Sequence, residues 1–246
     1  MKATVYSTEG KALKQIDLPE VFDSPRRDDL VKRAVLSEES RLYQPKGHYR
    51  YAGLETSARY RGRKEDFGAV KNKGIPHLPH EVQPKGQLGK VKRVPHAVKG
   101  RRAHPPKVEK KIIEKINKKE HMKALASALS FSVDKDTVSK RAHSDVAVPI
   151  VLEKGFEKLS KARDVAKVFE ALKLMRFVEK AKRNGTRSAL IVVSSSASVK
   201  AGANLAGVDV VKAGDLQVRH LAPGTHPGRI TLFTEDALPE IAKRFA

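Results

Sequence analysis

The sequence predicts a three-layer α/β domain built on a largely parallel sheet, plus a long extended basic loop. Three observations predict it. Over residues 1–43 and 112–246, short apolar runs alternate with segments of helical periodicity. One run, Ala189-Leu190-Ile191-Val192-Val193, is apolar throughout, as a strand covered on both faces requires. The intervening residues, 44–111, hold 18 Lys and Arg against 5 Asp and Glu, yet only 11 Val, Ile, Leu, Met and Phe.

The body can be followed element by element. Residues 2–6 read as a first strand, and residues 14–18 as its hairpin partner across Glu9-Gly10. Ser24-Pro25 has the form of an N-cap and first helical residue, and Leu30, Val31, Ala34 and Val35 carry the helix to about Arg41. Asn117 with Glu120 resembles a capping box ahead of a stripe of Met122, Leu125, Ala126 and Leu129. Residues 146–152 read as a strand, with Pro149 suggesting a place near a sheet edge. Ser160 reads as the cap of a helix with Val165, Val168, Phe169 and Leu172 on one face. After the 189–193 strand come two more, over 208–211 and 229–233. Thr234-Glu235-Asp236 then opens a final helix that ends on Lys243-Arg244, charges that suit the helix dipole at each end.

The segment 44–111 departs from this pattern. Its 8 Gly and 7 Pro interrupt any helix or central strand. So little apolar surface cannot offset the entropy of ordering it. It reads as an extended loop inserted in the body, disordered when free. A plain linker would be Gly/Ser-rich or acidic, not studded with Arg and Lys.

Composition narrows the chemistry. The chain has 246 residues and a formal net charge of +22, which calls for a polyanionic partner such as nucleic acid. Without cysteine, thiol nucleophiles and Cys-bound zinc are excluded. Without tryptophan, and with aromatics at 5%, aromatic-lined pockets and base-stacking platforms have little material. The longest apolar runs fall well short of the roughly 18 residues of a membrane span, and the N-terminus lacks a signal core, so a soluble, intracellular protein is expected. Catalytic signals are weak. Residues 202–207 begin and end in Gly but lack the Lys and Ser/Thr of a phosphate loop. His77 and His80 are separated by Pro79, which forbids a helical metal face; His104 and His143 have no evident partner; Ser194-Ser195-Ser196 fit capping better than nucleophilic attack. No metal or cofactor and no catalytic residue is expected.

What stands out is basic and spaced by glycine. Arg59, Arg61, Arg63 and Lys64 crowd around Gly62; Lys71, Lys73, Lys90, Lys92 and Arg93 follow; Lys99, Arg101, Arg102, His104 and Lys107 complete the set. Guanidinium forks suit phosphate oxygens, and Gly lets a main chain approach closely. Such an arm presents no recognition helix to a DNA groove. It suits threading among the helices of a large structured RNA.

The run Arg93-Val94-Pro95-His96-Ala97-Val98-Lys99-Gly100-Arg101-Arg102-Ala103-His104-Pro105-Pro106-Lys107 resembles the signature of the family of ribosomal protein four of the large subunit, in its archaeal and eukaryotic form. The pieces Leu18-Pro19-Glu20-Val21-Phe22, Ala52-Gly53-Leu54-Glu55-Thr56-Ser57-Ala58, Asn204-Leu205-Ala206-Gly207-Val208-Asp209-Val210-Val211 and Gly228-Arg229-Ile230-Thr231-Leu232-Phe233-Thr234 resemble the family in its own order. The short tail after the last helix resembles archaeal members more than eukaryotic ones. The resemblance implies a non-enzymatic, cytoplasmic protein of the large subunit, with its body outside and its loop threaded into ribosomal RNA. The fourteen residues of the basic set would then be RNA contacts. The return limb 93–107 would be packed in RNA, and a tip at Arg61, Gly62, Arg63 and Lys64 would line the exit tunnel. Implied partners are large-subunit ribosomal RNA, neighbouring ribosomal proteins and the nascent polypeptide, with no membrane.

Overall fold

The computed structural model describes residues 1–143, 146–196 and 201–245. In chain order the strands are β1 Lys2–Tyr6, β2 Ala12–Asp17, β3 His80–Val82, β4 Leu88–Val91, β5 Ile150–Leu152, β6 Ala189–Val193, β7 Asp209–Lys212 and β8 Ile230–Thr234. The helices are α1 Asp28–Ser40, α2 Lys118–Val133, α3 Lys135–Ala142, α4 Ala162–Ala171, α5 Met175–Asn184, α6 Val218–Leu221 and α7 Ala237–Phe245. The chain forms two units, Met1–Leu42 with Ile113–Ala246, and Tyr43–Ile112.

In the first unit a six-stranded sheet runs in the order β2-β1-β5-β8-β6-β7. Every pairing is parallel except that of β1 with β2. The register aligns Val5, Val151, Phe233, Val192 and Val211 across five strands. Because successive side chains point to opposite faces, β6 feeds two cores. Leu190 and Val192 pack with α1, α2 and α7, while Ala189, Ile191 and Val193 pack with α3, α4 and α5. The apolar run has no polar position because neither face of this strand meets water; all five residues are buried. Helices on both faces make the three-layer α/β architecture.

Several local expectations give way to tertiary contacts. Ser24 ends a 3-10 turn, Glu20–Asp23, and α1 starts only at Asp28. Residues 25 and 26 are held out of the helix: Ser127 Oγ donates to the Pro25 carbonyl at 2.7 Å, and Arg26 pairs with Asp134 at 3.0 Å. Asn117 flanks α2 but makes no side-chain capping bond, and Glu120 pairs with Arg33 at 2.8 Å instead. Strand β5 is short and central, so the edge expectation from Pro149 is overturned. The proline sits just ahead of the paired residues, where no ladder N–H is required. Lys161, one residue past Ser160, flanks α4. Thr234 belongs to β8, and α7 begins at Ala237. Helices α3 and α5 are additions to the sequence reading; α3 buries only Val138, whereas α5 carries a one-sided stripe that buries Val178 and Ala181.

The second unit contains a two-stranded hairpin, in which neither strand is central. Strands β3 and β4 pair antiparallel around Pro84–Gly86, and Arg59 bridges to His80. Pro79 and Pro84 fall outside the paired positions, so neither removes a ladder donor. Ala58, Ala69, Val70 and His80 are its buried interior.

Candidate nucleic-acid interface

Two buried serines of α1 fix where the chain leaves and re-enters the body. Ser40 Oγ accepts from the Glu114 N–H at 3.0 Å, and Ser37 Oγ donates to the Glu114 carbonyl at 2.7 Å. The flanks of the second unit are thereby held side by side. Serines inside a helix gave no such signal in the sequence.

Within the second unit the outgoing and returning limbs touch through glycines. A Cβ on Gly53 (φ +74°) would lie 2.4 Å from the Gly100 carbonyl oxygen, and a Cβ on Gly100 would lie 2.0 Å from that of Val94. No side chain fits either place. Two successive turns shape the return limb, Ala97 N–H to Val94 O at 3.2 Å and Gly100 N–H to Ala97 O at 3.0 Å. Arg93 Nη2 donates to the Thr56 carbonyl at 3.3 Å, a second tie between limbs. Lys85, Arg93 and Lys99 adopt left-handed backbone at φ 61°, 69° and 60°. That conformation costs a residue with a Cβ about 1–2 kcal/mol.

These limbs bring the basic residues together in part. Arg101 and Arg102 line one cleft with His48 and Arg50. Arg102 continues into a second concavity with His104, Lys107 and Lys110. Sequence reasoning passed over His48, Arg50 and Lys110; the Tyr49-Arg50-Tyr51 alternation was the available signal. Arg59, Arg63, Lys64, Lys71, Lys73, Lys90, Arg93 and Lys99 are exposed, and Lys92 is half-buried. Arg61 is set apart from them. Its main-chain carbonyl accepts from Val70, its side chain lies against Gly68, and its Nη1 is buried with no hydrogen-bond partner. Gly62 lies beneath the Tyr60 hydroxyl, 2.8 Å from where a Cβ would stand.

The places where other chemistry could reside are occupied by structural bonds. In open α/β sheets, ligands bind beyond the carboxyl ends of the strands. Here Glu157 accepts from the Ser194 N–H, from Ser194 Oγ at 2.7 Å and from Thr234 Oγ1 at 2.6 Å, and Glu240 accepts from Ser195. Both ring nitrogens of His80 face carbonyl oxygens, Gly89 at 2.9 Å and Pro76 at 3.0 Å. Among the described residues no cluster of His, Asp and Glu is placed to hold a metal ion.

Residues 16–244 match the model of the Ribosomal protein L4/L1 family. The chain belongs to that family. It is 42% identical to large ribosomal subunit protein uL4 of Methanocaldococcus jannaschii over the full length of both chains. It is 41% identical to uL4 of Methanococcus vannielii, again over both full lengths, and 37% identical to uL4 of Haloquadratum walsbyi over 99% of this chain and 100% of that one. In this L4-family chain the C-terminal pieces that carried the resemblance meet at one buried arginine. Arg229 is 1% exposed. It donates to Asp209 at 2.7 Å and to the carbonyls of His220, Ala189 and Gly207 at 3.0, 2.7 and 3.0 Å. Gly207 and Gly228 have φ of +72° and +87°, and a Cβ on either would meet neighbouring atoms within 3 Å. These residues hold the body together rather than bind a ligand.

Proposed function

We propose that this L4-family protein is a structural constituent of the large ribosomal subunit, and that its second unit binds ribosomal RNA by its phosphates and so supports assembly. The carrying observation is the glycine-closed pair of limbs, which sets Arg101 and Arg102 beside His48 and Arg50 on an open, exposed surface. Guanidinium groups fixed on a rigid main chain recognise phosphate with little loss of entropy. His104 and Lys107 would extend that surface through the neighbouring concavity, and Lys71, Lys73, Lys90, Lys92, Arg93 and Lys99 would supply further phosphate contacts elsewhere on the unit. Residues 59–74 would carry the tip, with Arg63 and Lys64 exposed toward the exit tunnel and its nascent chain, and with the turn after Gly62 closed by the Asp66 N–H on the Arg63 carbonyl. Neighbouring large-subunit proteins would cover parts of the body.

Co-sedimentation with large subunits through a high-salt wash tests this reading. The protein is expected to remain bound, and its crosslinks to RNA are expected to map to 44–111. Absence from the large-subunit fraction before the wash, or crosslinks confined to the body, would overturn it.

A further inference from the structure

Four of the five tyrosines lie between residues 43 and 60, and all four are exposed. A soluble surface has no need of that concentration, and the sequence offered too few aromatics overall to suggest it. Tyr49 and Tyr51 form a specific arrangement. Each opens a tight turn, Ala52 N–H to Tyr49 O at 3.0 Å and Leu54 N–H to Tyr51 O at 2.8 Å. Their rings meet edge to face, centroids 5.9 Å apart, while remaining 59% and 52% exposed as residues. The Tyr49 hydroxyl donates to Glu55, which fixes that ring and raises its pKa. Arg50 lies over the Tyr51 ring at 6.0 Å.

An edge-to-face pair leaves π-faces unused. Arg50, which lies over the Tyr51 ring, also lines the cleft that holds Arg101 and Arg102, so the tyrosine pair and the cleft share one cation. A peptide partner would call for an apolar surround. A polyanion that carries flat rings suits cations and open aromatic faces together. A duplex keeps its bases stacked internally, so only unpaired nucleotides can supply those rings.

We infer that Tyr49 and Tyr51 form a stacking platform for unpaired RNA bases, with Arg50, Arg101 and Arg102 holding the adjoining phosphates. This rests on the RNA-binding reading above.

The test compares the full-length protein on three probes at one salt concentration: short oligouridylate, an abasic ribose-phosphate chain of the same length, and an RNA duplex. With no tryptophan present, intrinsic emission comes from tyrosine and reports stacking directly. Oligouridylate is expected to quench that emission and to bind roughly tenfold or more tightly than the abasic chain, the order of one base–aromatic stack. The Y49L/Y51L variant is expected to lose that preference and keep its duplex affinity, and Y49F/Y51F to retain it. Equal binding of the base-bearing and abasic chains by the unaltered protein overturns the platform whatever the variants do. So does an undiminished preference in Y49L/Y51L. Failure to bind all three probes instead defeats the RNA-binding reading and the platform with it.

Discussion

At the scale of single residues, the interface depends on atoms that are missing. Gly100 makes no contact that a sequence motif would reward; it matters because a methyl group there would sit 2.0 Å from the Val94 carbonyl oxygen. Gly100→Ala must therefore open the turn that carries Arg101 and Arg102. We expect it to weaken RNA binding by roughly tenfold or more, the scale of one or two lost charge-assisted hydrogen bonds, while thermal unfolding of the body is unchanged. Gly185→Ala is the control. Its φ is also positive, at +64°, but nothing lies within 4 Å of the added carbon, so it should leave RNA affinity alone.

Buried titratable residues set the acid limit of the body. Burial drives the His220 imidazole down to about 4 from its ordinary 6.5, and its Nδ1 accepts the Gln217 N–H. The unfolded chain therefore takes up a proton that the folded chain refuses. The resulting stability is complete above about pH 6.5 and is lost progressively toward about pH 4. Glu38 acts in the same direction at lower pH. Burial would raise its carboxyl, but His121 at 2.6 Å and the N–H groups of Arg219 and Val218 outweigh it and hold the group below the usual carboxylate range. Denaturant midpoints measured across this range are expected to fall with acid, and His220→Asn to flatten the upper part of the fall. A midpoint constant between about pH 6.5 and 4 would contradict this assignment.

At the scale of elements, legibility followed burial. Strand β6 was readable to the residue because both its faces are dry, and β1 because its apolar side chains alternate. The caps failed where long-range bonds won: Arg26 to Asp134 and Ser127 to Pro25 hold the start of α1 three residues later than Ser24-Pro25 implied. The basic limb was legible as chemistry, since charge and proline need no fold to be counted. Its geometry was not, because the Gly53–Gly100 approach and the Tyr49–Tyr51 pair join residues that only the turns bring together.

Arg61 shows what this means for mutagenesis. Sequence grouped it with Arg63 and Lys64, yet its side chain is packed against Gly68 inside the second unit. Replacing Arg61 would test local packing as well as any tip role. The cleaner comparison is Arg63→Ala with Lys64→Ala against Arg101→Ala with Arg102→Ala. The Arg101/Arg102 pair is expected to depress incorporation into large subunits, each arginine forfeiting hydrogen bonds to phosphate of about 1.5–3 kcal/mol. The Arg63/Lys64 pair is expected to assemble almost normally and to alter passage of particular nascent chains, as the proposed place of the tip at a wet tunnel wall implies. Normal incorporation of the first pair alongside failure of the second would reverse the assignment of strap and tip.

At the scale of the whole molecule, charge and fold divide the work. The first unit is a conventional three-layer body in which Arg229, Glu38 and Glu157 find their partners internally. The second unit has few buried residues and a net charge of +13 over 44–111 out of +22 for the chain. Neutralising that charge is the main electrostatic gain that the proposed RNA partner would supply. The most direct measurement is the salt dependence of affinity for large-subunit ribosomal RNA. With roughly six phosphates neutralised, log K should fall against log salt with a slope of about −4 to −5, and the Arg101/Arg102 double variant should make that slope shallower by about 1–2. A slope near zero, or one that the double variant leaves unchanged, would contradict the account.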